Sequence, residues 1–310
     1  MTQLLALATA LPPLSGSQLL SITADPLPIA VLVGVLALYL WGVARNNRLH
    51  PRRPWPAGRT AAFVGGTVVT SVAILSVIGV YDDELFWDHM VQHLLLVMVA
   101  AALFAASSPV ALAWGATSGA AHRLLARLLR SRTMKVVGHP ATALGAYALV
   151  IPVTHLTVFM TWVLETSAVH HGEHLLFLLV GFLMWRHMLG NDPGGVRLSP
   201  AMKALYVSLA LPVDTFVGLA LLLERREIFP AAAALHPVWG PSLLTDLHLG
   251  GLIMLVGGDA LMMLAFVPLI VQRVRVAKRG AIGVERALGG VVSLPQRPSA
   301  ATAVPSRSER

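Results

Sequence analysis

Apolar side chains fill seven long windows of the chain, and short polar segments separate these windows. A membrane-crossing helix needs about 20 such residues. Because lipid offers no partners to backbone polar groups, each crossing segment must satisfy its own, as an α-helix does. The pattern therefore predicts an all-α integral membrane protein with seven transmembrane helices. The windows, called spans one to seven, lie near 26–44, 60–80, 88–115, 140–164, 169–189, 201–223 and 246–271.

The composition agrees with a membrane protein and excludes several other classes. Hydrophobic residues make up 56% of the chain and charged residues 12%, against about 25% charged in ordinary soluble domains. A soluble enzyme and a disordered chain are thereby excluded, and the net charge of +8 is not taken to indicate nucleic-acid binding. Cysteine is absent, so a transition metal would have to be bound by histidine, methionine or carboxylate.

The chain divides into three parts on this pattern. Residues 1–25 form an N-terminal segment without Lys or Arg, which does not suit a cleaved signal peptide with a basic start. Residues 26–275 form the seven-helix domain, and the basic segment 276–310 is predicted to be a disordered tail. Four prolines inside the windows are predicted to kink their helices; they are Pro109, Pro152, Pro212 and Pro268.

The basic residues predict which way the helices point. All Lys and Arg residues except Arg225 and Arg226 lie in the connections 45–59, 116–139 and 186–203 or after Val271. Cytoplasmic loops carry the excess of Lys and Arg. We therefore expect the N-terminus outside and the C-terminus in the cytoplasm, with the basic side attracted to anionic membrane lipid.

This topology places eight of the twelve histidines on the outer half. His89 and His93 open span three four residues apart, and His170 and His174 do the same in span five. An i, i+4 pair projects from one helix face, which is how a helix offers two imidazoles to one ion. We therefore predict a metal site centred on His93 and His174. His171 and His236 are interpreted as loop residues, and the further ligand candidates are His89, His170, His155 and His248.

Several features favour copper as the ion. Imidazole suits copper as well as zinc, iron and nickel, and thioether favours copper; Met90, Met98, Met160 and Met254 are candidate soft donors. Acidic residues surround the outer entrance and would attract cations; they are Asp82, Asp83, Glu84, Asp88, Glu165 and Glu173. Glu173 or Asp246 is predicted to lie next to the metal ligands, without binding the metal itself, and to orient an imidazole.

Two carboxylates lie near mid-membrane by this topology, Asp214 and Asp259. An unpaired charge there is costly, so each is expected to be protonated or paired. One interpretation is a polar path that leads inward from the histidines. The other is a polar contact that joins spans six and seven, and the sequence does not decide between them.

Several of these segments together resemble one family. They read HMVQH at 89–93, SPV at 108–110, HHGEH at 170–174 and DLHLGGLIM at 246–254, with His155 between them. Over about 80–275 the chain resembles the seven-span CtaG family of cytochrome c oxidase assembly proteins. The resemblance implies a protein of the bacterial plasma membrane that is not an enzyme. It would help to metallate the copper-bearing subunit of a haem–copper oxidase.

Two other functions stay open at this point. Paired histidines on facing helices could bind iron in a b-type haem electron carrier. Asp214 and Asp259 could instead serve a proton-coupled copper importer. The sequence also leaves open whether the chain forms a homo-oligomer.

Overall fold

The apolar windows fold as helices that cross the structure in succession. In the computed structural model, residues 11–16, 18–190, 192–193, 196–226, 228–229, 236–264 and 266–267 are described. Six helices are long and apolar enough to cross a membrane, and a bent pair, Pro140–Leu156 with Phe159–Glu165, makes seven if it is counted as one span. The six are Pro26–Leu49, Ala57–Tyr81, Phe86–Ala116, Ser167–Trp185, Pro200–Leu223 and Leu243–Leu264. The described ranges contain no strand, which confirms the prediction of an all-helical, multi-pass membrane protein.

Shorter helices connect the spans. A 3₁₀ turn, Gln18–Leu20, precedes span one, and Gly119–Arg130 and Arg132–Val137 lie between spans three and four. The proposed tail 276–310 and the last residues of the seventh predicted window, including Pro268, lie outside the described residues.

Several spans begin where the sequence supplies a cap. Asp25 accepts a hydrogen bond from the backbone N–H of Leu27 at the start of span one. Ser199 and Ser242 do the same for Met202 and Thr245 at the starts of spans six and seven. Such side chains satisfy backbone donors that lack a partner in the first helical turn. The starts predicted from the apolar windows lie within a few residues of the observed ones.

Span four is not the single helix that the window 140–164 suggested. Its two helices meet at a 66° bend, and Thr157 lies at the break. The Thr157 hydroxyl donates to the carbonyl of Val153 at 2.7 Å and accepts from the N–H of Phe159 at 3.2 Å. The side chain thus satisfies backbone groups near the break, as membrane helices require. His155 lies two residues before this bend.

The prolines differ in their effects. The helix of span three is interrupted before Pro109, where Ser108 takes a left-handed conformation with φ of 52°. Pro152 and Pro212 lie inside helices that continue past them. The interruption at Pro109 agrees with the steric restriction that proline places on the preceding residue.

Spans three and five pack against each other directly, and this packing brings their histidines together. Trp185 donates its indole N–H to the carbonyl of Val97 at 2.9 Å. A Cβ at Gly181 would lie 2.6 Å from that same carbonyl oxygen, so only glycine permits this approach. Val97 belongs to a π-helical turn, Leu95–Ala100, which begins two residues after His93. Such turns occur often at functional sites.

Candidate metal centre

Six side chains near the starts of spans three and five form two neighbouring groups of three possible metal ligands. In each group the ligand atoms lie within 4.8 Å of one another, and all six residues are buried. We call His89, His93 and Glu173 the inner trio. We call Asp82, His170 and His174 the rim trio.

The inner trio places one carboxylate beside two imidazoles. The Nε2 atoms of His89 and His93 each lie 3.5 Å from Oε2 of Glu173. Both distances exceed those of a well-formed hydrogen bond. The two imidazole rings are in edge contact, with centroids 4.0 Å apart. The helical i, i+4 spacing produces this contact on span three, and Glu173 faces it from span five.

Most polar atoms of the inner trio lack a hydrogen-bond partner. Among the described residues, none is found for either ring nitrogen of His89, for Nε2 of His93 or for either carboxylate oxygen of Glu173. Buried polar groups are nearly always paired, and each exception requires an explanation. A cation between the three side chains would be bound by one nitrogen of each imidazole and by the carboxylate of Glu173.

A chain of hydrogen bonds orients His93 toward this space. Nδ1 of His155 lies 2.8 Å from the carbonyl oxygen of Ile151 and must donate to it. Nε2 of His155 is then the acceptor for the N–H at Nδ1 of His93, 3.0 Å away. The lone pair of neutral His93 is therefore on Nε2, the atom that faces Glu173. His155 thus supports a ligand candidate and fixes its tautomer.

The rim trio is organised in the same way by Gln92. Its amide donates to the carbonyl of Ala73 at 3.0 Å and to the carboxylate of Asp82. Its carbonyl oxygen accepts from Nε2 of His174 at 2.8 Å, so the lone pair of His174 is on Nδ1. That Nδ1 atom is buried without a hydrogen-bond partner among the described residues.

His170 completes the rim trio. Its Nδ1 donates to Asp83 at 3.1 Å, which leaves Nε2 facing Asp82 at 3.4 Å. Burial raises the pKa of the Asp82 carboxyl, and the neighbouring His170 opposes that rise. Burial also acts to raise the pKa of Asp83, but its hydrogen bond to His170 and the charge of that imidazole lower it on balance.

A cavity of about 150 Å³ adjoins the rim trio. Asp25 and His171 line it, and they pair at 3.0 Å between Oδ2 and Nε2. Asp83 also lines it, with its side chain 53% exposed. The rim trio therefore borders an acidic opening, as the acidic residues of the sequence suggested for the entrance.

The remaining sequence-predicted residues lie outside both trios. His248 places Nε2 2.8 Å from the carbonyl oxygen of Glu224. Asp246 accepts from the backbone N–H groups of Phe86 and Trp87 at 2.9 and 3.0 Å, and so it anchors the first turn of span three. His236 lies 3.6 Å from Asp246. Glu173 differs from these residues, because it was expected only to orient an imidazole but belongs to the inner trio of possible ligands.

Sequence reasoning missed the roles of Asp82 and Gln92. The sequence places Asp82 among the acidic residues of the outer entrance, because a loop has no periodic pattern that shows which carboxylate points inward. Gln92 lies between two histidines of the HMVQH segment and directly precedes His93. The sequence signal for its role was a glutamine between two histidines spaced i, i+4 in an apolar window.

The two carboxylates predicted to lie near mid-membrane each have a hydrogen-bond donor. Tyr147 of span four donates its hydroxyl to Asp214 at 2.5 Å. The Thr215 hydroxyl lies 3.0 Å from both carboxylate oxygens of Asp259. These bonds join neighbouring spans, and both interpretations from the sequence stay predictions.

Fold and site together define a multi-pass helical membrane protein with a buried imidazole and carboxylate cluster suited to a metal ion. The family model for the cytochrome c oxidase caa3 assembly factor, CtaG, matches residues 37–276. The chain therefore belongs to this family, and the resemblance found in the sequence is confirmed.

The chain is also similar to uncharacterized mycobacterial proteins. It is 27% identical to one of Mycobacterium leprae, over 82% of this chain and 40% of that protein. It is 29% identical to one of Mycobacterium bovis and one of Mycobacterium tuberculosis, over 64% of this chain and 31% of each. The chain thus spans less than half the length of these relatives. No solved structure matches it significantly.

Proposed function

We propose that this protein is a copper-binding assembly factor for cytochrome c oxidase and that the inner and rim trios hold the metal as cargo. The observation that carries the proposal is the set of buried atoms on His89, His93 and Glu173 that have no hydrogen-bond partner among the described residues. Neutral imidazole and carboxylate are donors for divalent transition metals, and among these Cu²⁺ binds most tightly. Family membership supplies the link to the oxidase.

The proposed partner is the copper-bearing subunit of a haem–copper oxidase in the bacterial plasma membrane. Delivery to such a subunit requires no chemical turnover, so we propose a carrier and not an enzyme. The trios lie at the end of the bundle opposite the basic connections 45–59, 116–139 and 186–203. The distribution of basic residues supports placing that end outside.

A deletion strain tests the proposed role. Without the carrier, the oxidase must obtain copper directly from the surrounding pool, so we expect haem–copper oxidase activity in its membranes to fall, with partial recovery in copper-supplemented medium. Reintroduction of the wild-type gene should restore activity without added copper. Oxidase activity and oxidase copper content equal to those of the parent strain would contradict the proposal.

Cysteine labelling tests the proposed orientation. The chain has no cysteine, so Ser306→Cys and Val238→Cys each introduce a single reactive site. Val238 is 89% exposed between spans six and seven. An impermeant maleimide on intact cells should label Val238→Cys and leave Ser306→Cys unlabelled until the cells are broken. The reverse pattern would place the trios on the cytoplasmic side.

A further inference from the structure

We propose that the cluster is two metal sites in series, a rim site that takes up the ion and an inner site that receives it. The inference rests on the proposed function, because it concerns how the same cluster handles its metal. It goes further in assigning two ions to six side chains and an order in which they bind.

The two trios share no ligand. Each consists of two histidines and one carboxylate, and the distances of 4.8 Å or less hold within each trio. Each trio also has its own partners: His155 orients His93, whereas Gln92 orients His174 and bonds to Asp82. Two complete and separately oriented donor sets are what two ions require.

The two trios also adjoin each other. The rings of His89 and His170 have centroids 5.5 Å apart, and those of His170 and His174 are 4.4 Å apart. Span five contributes to both trios, with Glu173 directly before His174 in the chain. An ion that leaves the rim trio therefore meets ligands of the inner trio within a few ångströms.

Side-chain exposure decreases from the cavity through the rim trio to the inner trio. Asp83 and His171 border the cavity with side chains 53% and 32% exposed. The three rim residues are 5–8% exposed. The three residues of the inner trio are 0–3% exposed. An ion from solvent can thus reach the inner trio by way of the rim, where the carboxylates attract it first.

Gln92 has a positioning role in this arrangement. Its amide fixes one rim carboxylate and the tautomer of one rim imidazole. It forms none of the hydrogen bonds that orient the inner trio. Loss of an outer partner of this kind typically lowers metal affinity by about 10–100-fold. Gln92→Ala should therefore weaken the rim site and spare the inner site.

Copper counting on the full-length, detergent-purified protein tests the inference. The metal-free protein is titrated with copper sulfate and passed over a desalting column, and the bound copper is measured per chain. We expect two ions in the wild type and one each in His93→Gln and His174→Gln. We expect two in the control His248→Gln, which changes a histidine outside both trios. In Gln92→Ala one ion should bind as in the wild type and the other about 10–100-fold more weakly.

The rate of loading tests the order. His174→Gln should fill its remaining inner site at least several-fold more slowly than the wild type, whereas His93→Gln should fill the rim site at the wild-type rate. Equal rates would overturn the order. Circular dichroism checks that each variant is folded. If a ligand variant does not fold, Gln92→Ala still tests the separation of the sites, because it keeps all six proposed ligands.

Failure of the inference is distinguishable from failure of the proposed function. If the wild type binds one ion, and if His93→Gln and His174→Gln each abolish its binding, both trios form a single site. The carrier role would then stand. A wild type that binds no copper would overturn both. Two ions that are lost together in either variant would overturn the separation of the sites.

Discussion

Replacing Glu173 by glutamine is expected to weaken copper binding at the inner trio by about 100-fold or more, beyond the effect typical of an outer partner. The substitution keeps the size of the side chain and removes the carboxylate charge that lies 3.5 Å from His89 and His93. Competition with a chelator of known copper affinity measures the change. Glu165→Gln is the matched control, since Glu165 is exposed at the end of span four.

The same substitution should not destabilise the metal-free protein. A buried carboxylate without a partner is costly, and Glu173 has no hydrogen-bond partner among the described residues. A buried neutral amide costs less than a buried charge, so the thermal midpoint of the metal-free glutamine variant should equal or exceed that of the wild type. Added copper should raise the thermal midpoint of the wild type more than that of the variant, because the wild type is expected to bind copper more tightly. A ligand that binds only the folded state stabilises that state. A destabilised metal-free variant would show that Glu173 has a structural role instead.

A strain whose only copy carries His93→Ala is expected to resemble the deletion strain in oxidase activity. His93 has its lone pair in the inner trio and a hydrogen bond from Nδ1 to His155, so alanine removes a proposed ligand and leaves Nε2 of His155 without this donor. Oxidase activity in membranes, at matched protein level, is the measurement.

The matched control for this strain is His248→Ala. His248 also belongs to the histidines predicted on the outer half, but its imidazole contacts the carbonyl of Glu224 and lies outside both trios. Near-normal oxidase activity is expected in that strain. Equal loss in both strains, or loss in neither, would contradict the role given to the inner trio.

The spans could be predicted because membrane crossing depends on local composition. The apolar windows are a property of the sequence, and they gave the helix starts to within a few residues. The break at Thr157 was missed because a threonine within an apolar window also fits a continuous helix. Its hydroxyl can satisfy backbone groups in either case.

The site could be predicted only in part. Helical spacing alone placed His89 with His93 and His170 with His174, since a period of 3.6 residues fixes a face. It could not show that span five supplies Glu173 to the first pair, or that Gln92 and Asp82 join the second. His155 and His248 looked alike in the sequence. Only the packing of the spans shows that His155 bonds to His93 and that His248 does not.

The most direct test of a buried copper cluster is X-ray absorption at the copper edge on protein purified from copper-supplied cells, with copper content measured by elemental analysis. We expect bound copper with nitrogen and oxygen neighbours and the scattering pattern of imidazole, and a large loss of copper in His93→Ala. Wild-type protein without copper, or copper without imidazole neighbours and unchanged in His93→Ala, would contradict the account.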